Sequence, residues 1–80
     1  MSKDPPPEWV LARRRAIGAR LRDARTAAGL SQEGLALRAG IDLKTVHRIE
    51  YAISDPTLSV LLLVAAAVRV PLSELVRERE

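Results

Sequence analysis

The chain has no cysteine and no phenylalanine, and its 80 residues include one histidine, one tryptophan and one tyrosine. Without cysteine, neither a disulfide nor a cysteine-ligated zinc site can support the fold, and the only imidazole a metal could take is His47. A chain this short buries only about 60% of the surface its unfolded form exposes, so packing, alone or with a partner subunit, must supply a small folding margin. A long apolar run is also missing. The longest, Val60 to Val68, is half of the roughly 18–20 residues that a membrane span needs. The start of the chain is too charged and too rich in proline for a signal peptide. Together with the absence of cysteine, these features predict a cytoplasmic protein with no membrane association.

Catalytic groupings are lacking as well. His47 has no neighbouring nucleophile or second ligand, and Asp23, Glu33 and Asp42 form no metal set. The spacing of Gly29 and Gly34 is that of a phosphate loop, but the lysine and the Ser/Thr that would follow are absent. No enzyme activity, metal or cofactor is expected. The net charge of +3 permits phosphate binding without demanding it, so the placement of the charge matters more than its sum.

What is present is helical. Residues 1–7 are polar and rich in proline, which predicts a disordered tail, and residues 8–80 read as a single domain. Pro7 suits the opening of a long first helix to Ala28, with Val10, Ile17, Leu21, Ala24 and Ala28 along one stripe and Gly29 as a left-handed cap. Ser31 is a fitting N-cap for a helix over 32–39; Gly34, standing where a capping box has glutamate, weakens that helix by about 1 kcal/mol. Gly40 makes a turn, and Asp42 caps a third helix over 42–51. Asp55-Pro56 marks a loop. The spacing then predicts a fourth helix over 57–68, with Leu58, Leu61, Ala65 and Val68 inward, and a fifth from Pro71 through Arg77. Leu63, Ala66 and Val70 form a second apolar stripe, which implies a covering partner. Alternation of the kind that marks strands is absent, so the fold class is all-α.

The third helix carries the chemistry. At about 100° per residue, Lys44, His47 and Arg48 share one direction with Leu43 at its margin, while Thr45, Val46 and Ile49 point the opposite way. Lysine and arginine can reach guanine O6 and N7, leucine can touch a thymine methyl group, and histidine can donate to a base or a phosphate. Beside Gln32, the N-terminus of the second helix offers free N–H groups to a phosphate oxygen. Arg13, Arg14 and Arg15 point about 100° apart, so at most one or two of them can meet one DNA backbone.

The pattern Arg25…Gly29-Leu30-Ser31-Gln32…Leu35-Ala36…Ala39-Gly40-Ile41…Val46…Arg48-Ile49-Glu50…Pro56…Leu61…Ala65…Val70-Pro71-Leu72-Ser73-Glu74-Leu75 resembles the Xre-like helix-turn-helix domains of the phage repressor and Cro type. The resemblance implies a five-helix lambda-repressor-like fold, here with an extended first helix. It implies base contacts from Leu43, Lys44, His47 and Arg48 and a phosphate contact from Gln32, to which Ser31, Thr45 and Ser54 are added as further phosphate contacts. It also implies an ion pair between Arg25 and Glu50. The chain departs from the family after that glutamate, where Tyr51-Ala52-Ile53-Ser54 replaces the usual glycine and basic residue.

The expected function is a sequence-specific, double-stranded DNA-binding transcriptional regulator that represses by occupancy. As a homodimer it would place one reading helix per subunit in successive major grooves, about 34 Å apart. Leu63, Ala66 and Val70, joined by Ile53 and Trp9, are the expected dimer interface. Two alternatives share the fold: an antitoxin or restriction–modification controller, and a protein-interaction module that docks through Leu43 and Ile53. In these the partner would be a toxin or another regulator.

Overall fold

Prolines, hydroxyls and left-handed turns set the ends of the helices in the computed structural model, which describes residues 4–78. Five helices follow one another: α1 (Glu8–Ala27), α2 (Gln32–Ala39), α3 (Leu43–Glu50), α4 (Leu58–Ala67) and α5 (Leu72–Val76). Pro7 and Pro71 occupy the N-cap positions of α1 and α5. The Ser31 and Thr57 side chains accept hydrogen bonds from the Gly34 and Val60 amides at 3.0 and 3.1 Å, satisfying otherwise orphaned donors at the starts of α2 and α4. Asp42 stands at the N-cap of α3 but makes no side-chain cap bond, contrary to expectation. Of the predicted tail, residues 1–3 lie outside the described residues. Asp4 to Pro7 is exposed and has no helix or strand.

Helices α1 to α4 all end in the same way. A residue after each helix turns left-handed, at Gly29, Gly40, Ala52 and Arg69 (φ 72°, 71°, 55° and 63°). The next amide then donates back to the last turn: Leu30 to Arg25, Ile41 to Ala36, Ile53 to Arg48 and Val70 to Ala65, at 2.9 to 3.1 Å. Glycine takes this conformation freely, whereas Ala52 and Arg69 carry a steric cost of about 1–2 kcal/mol each.

Packing follows a closed circuit in which α1 lies on α3 and α5, α2 on α3 and α4, and α4 on α5. Leu21, Leu35, Val46, Val64 and Leu75 are fully buried at its centre, so every helix contributes one large core side chain. The inward stripe of α4 differs from the one predicted. Leu58 is 64% exposed in the first turn, and Val64 takes the central position with Ala65, Ala67 and Val68 around it. Since α4 is apolar around nearly all its circumference, hydrophobicity alone could not select the buried side. Ala28, expected on the α1 stripe, is an exposed C-cap. Val70 falls beyond α4, in the left-handed turn, and packs against the core instead of extending an outer stripe.

Gly18 marks the closest approach in the fold. It is buried within α1, and a Cβ there would run into the carbonyl oxygens of Ile49 and Glu50. The missing side chain lets α1 lie directly on the end of α3. Gly18→Ala is therefore expected to lose about 1–3 kcal/mol through overpacking, a fall of roughly 4–8 °C in Tm per kcal/mol for a domain of this size. Thermal unfolding measures it, and an unchanged midpoint would mean that α1 and α3 have room to separate.

Candidate nucleic-acid interface

Helix α3 is fixed from beneath. Val46 and Ile49 are buried in the core, and the Glu50 side chain at its last turn is 0% exposed. A buried carboxylate requires partners, and Glu50 has two. Arg25 of α1 meets it with a two-pronged ion pair, Nε to Oε2 at 2.6 Å and Nη2 to Oε1 at 3.0 Å. Gln32, the first residue of α2, donates from Nε2 to Oε1 at 3.1 Å. Arg25 also donates from Nη1 to the Leu30 carbonyl at 2.9 Å. One acidic group thus joins α1, the turn after it, the start of α2 and the end of α3. The hydrogen bond to Glu50 is the main cause of a raised Arg25 pKa, above a value already high for any side chain. The cation therefore persists at every pH below the strongly alkaline range, and the stability that its raised pKa reflects is present below that range and lost as pH rises through it.

The opposite face of α3 is bare. Leu43, Lys44, His47 and Arg48 are exposed and line one shallow hollow together with Gln32 and Ile53. The structure therefore brings together all four predicted base-contacting residues and the glutamine expected at a phosphate. Lys44 and Arg48 have no hydrogen-bond or ion-pair partner among the described residues, so their donors face solvent. The His47 ring lies against Tyr51 one turn later, with centroids 4.6 Å apart.

Other expected residues are placed less uniformly. Ser31 is exposed beside Gln32 while its oxygen accepts from Gly34, and Thr45 is half-buried on the flank of α3. Ser54 sits on the inner side of the loop after α3, where it lines a cavity of about 80 Å3 with Arg14, Ile17 and Asp55. Ile53, expected at a subunit interface, is exposed and borders the α3 hollow. Leu63 and Ala66 are exposed on α4, and Trp9 is exposed in the first turn of α1. Val70 is partly buried in the core of its own chain, as described above.

The arginine run of α1 is occupied internally. Arg13 donates to the Val76 carbonyl and pairs with Glu78, Arg14 donates to the Ala52 carbonyl, and Arg15 pairs with Glu8. The Arg14 Nε is buried and has no partner among the described residues. Among the described residues, no group of three or more His, Cys, Asp or Glu could hold a metal, and no helix is long and apolar enough to cross a membrane. Two features of the site escaped sequence reading: the close approach at Gly18, signalled only by a glycine inside a strong helical run, and the role of Tyr51 beneath His47.

Comparison with known proteins agrees with this fold. The helix-turn-helix family profile matches residues 21–75, so α1 from Glu8 to Arg20 precedes the matched region. Among solved structures, the crystal structure of the restriction-modification controller protein C.AhdI from Aeromonas hydrophila is similar, with a TM-score of 0.77 and 39% sequence identity. The match covers 80% of this chain and 97% of that one. No curated protein matches the chain in sequence.

Removing one side of the buried pair isolates this arrangement. Arg25→Ala leaves the Glu50 carboxylate buried with only Gln32 as a partner, and a loss of about 3–5 kcal/mol is expected. Chemical denaturation provides the measurement. A loss below about 1 kcal/mol would reduce the pair to the worth of an ordinary surface contact.

Proposed function

The chain belongs to the helix-turn-helix family and is a DNA-binding transcription regulator; we propose that it reads double-stranded DNA sequence-specifically as a homodimer, with one α3 in the major groove from each subunit. The observation that carries this reading is the division of α3 into a face buried through Val46, Ile49 and Glu50 and a face left open through Leu43, Lys44, His47 and Arg48. A rigid helix with free donors along one side fits the major groove, where each base pair presents a distinct donor and acceptor pattern.

Roles follow from chemistry. Arg48 and Lys44 donate to guanine O6 and N7, Leu43 covers a thymine methyl group, and His47 donates to a base edge. Gln32 uses one N–H of its amide on Glu50, and the other remains for a phosphate at the start of α2. Such a contact sets the register of the protein on the duplex and leaves sequence to α3. Ser31 and Thr45 stand beside it as further phosphate donors. Ser54 is the weakest member of this set, because it lines an inner cavity.

The second subunit is inferred from α4. Leu58, Leu62, Leu63 and Ala66 form a continuous exposed face on which Ser59 is the one polar residue. An apolar face of this kind on so small a chain favours self-association, and a two-fold pair presents two reading helices to a two-fold site. Repression by occupancy is the simplest consequence for transcription. A second reading, control of a restriction–modification system, is supported by the 39% identity with a controller protein.

Selection of bound duplexes from a random pool is expected to recover a palindrome. On that site Arg48→Ala should cost about 1–3 kcal/mol and relax preference at one base pair; an equal loss on every sequence would demote Arg48 to a phosphate contact. Leu63→Glu should sediment as a monomer at concentrations where the unaltered chain is a dimer. Unchanged mass would remove the α4 interface. Recovered sites that lie nowhere near restriction or methyltransferase genes would dismiss the controller reading.

A further inference from the structure

Helix α1 carries six arginines, and among the described residues the side chains of five of them hydrogen-bond within the chain: Arg13, Arg14, Arg15, Arg20 and Arg25. Arg22 is the exception. Its guanidinium lies over the Tyr51 ring, 5.9 Å from the centroid, and Tyr51 in turn touches His47 on the open face of α3. Arg22, Tyr51 and His47 are all exposed. They form a row that leads from the reading helix across to α1.

We propose that Arg22, held over Tyr51, is a phosphate-binding residue that extends the DNA interface from the end of α3 onto α1. The proposal rests on the reading of α3 as a groove-binding helix. Stacking against a ring face restrains a guanidinium while leaving the N–H donors along its edges free, and those donors match the spacing of two phosphate oxygens. A groove-bound α3 has a sugar-phosphate strand on either side, and the one nearer Tyr51 and α1 is the strand Arg22 faces. The loop after α3 makes such a residue useful here, since Ile53 and Ser54 supply no cation at that end of the helix. The two cations on the groove face, Lys44 and Arg48, serve base edges in this scheme.

Each phosphate neutralised by a protein cation adds about 0.9 to the slope of log K against log salt concentration on B-DNA. The experiment titrates a fluorescent duplex of random sequence with the full chain over a salt series, using four versions: unaltered, Arg22→Gln, Arg22→Lys and Arg20→Gln. The expected result is a slope smaller by about 0.9 for Arg22→Gln and restored for Arg22→Lys. Arg20→Gln should leave the slope unchanged, because Arg20 donates to the Glu74 carbonyl of α5. Thermal melting confirms that each version is folded, and replacement of the exposed Arg22 should not shift it.

An unchanged slope for Arg22→Gln, with the unaltered chain binding in a salt-dependent way, overturns the role of Arg22 and leaves the DNA reading intact. An equal drop for Arg20→Gln also overturns it, because the effect would then reflect net charge alone. If the affinity of the unaltered chain is indifferent to salt, the groove-binding reading itself fails and Arg22 falls with it.

Discussion

The buried carboxylate of Glu50 is the constraint on which the rest of the structure depends. A carboxylate with no exposed surface is tolerable only when its oxygens are occupied, and here they are occupied by groups from two other helices, Arg25 of α1 and Gln32 of α2. The consequence is geometric. The end of α3 cannot rotate or slide without breaking a two-pronged bond to α1 and an amide bond to α2. A reading helix needs that fixity, since a base contact depends on donors being held in place before the duplex arrives. Gln32 belongs to this lock as well as to the rim of the α3 hollow, so the side chain that steadies α3 is also the one proposed to meet a phosphate.

Close packing completes what the ion pair begins. Gly18 lets the backbone of α1 rest against the Ile49 and Glu50 carbonyls, and Val46 and Ile49 press the helix onto the core. One side of α3 is thereby committed to the fold and the other left for a ligand. The division of the arginines follows the same logic. Those at positions 13, 14, 15, 20 and 25 serve internal carbonyls and carboxylates, while Arg48 and Arg22 remain outward around α3. A net charge of +3 therefore understates how selectively the free cations are placed.

Helix ends and the open face of α3 were legible in the sequence because both depend on local rules. Ser31, Gly29, Gly40 and Pro71 act within one turn of the residues they affect, and a helical period of 3.6 separates Lys44, His47 and Arg48 from Val46 and Ile49 without reference to the rest of the chain. The Arg25–Glu50 pair came from family resemblance; nothing local could have specified it across 25 residues. What stayed hidden depends on tertiary packing. The run from Val60 to Val68 offers no polar marker, so the choice of Val64 over Leu58 was made by α2 and α5. The left-handed turn at Ala52 lacks the usual glycine and gave no signal. Tyr51 gains its place from the fold, which sets Arg22 of α1 over the ring that also meets His47.

The uniform apolarity that obscured α4 would also let a chain of this size serve the proposed pairing and its own core with one short helix. The side bearing Val64, Ala65, Ala67 and Val68 closes the core against α2 and α5, and the side bearing Leu58, Leu62, Leu63 and Ala66 stays open. A single small core rarely supplies more than about 3–5 kcal/mol, and two left-handed non-glycine turns draw on that margin. Burying the open side against a second copy would add stability where the monomer is short of it. Because α4 packs on α2, and α2 on α3, the same contact would fix the relative placement of two reading helices. Under this arrangement stability and recognition are coupled: the pairing that strengthens the fold is the one that sets the separation of the half-sites to be read.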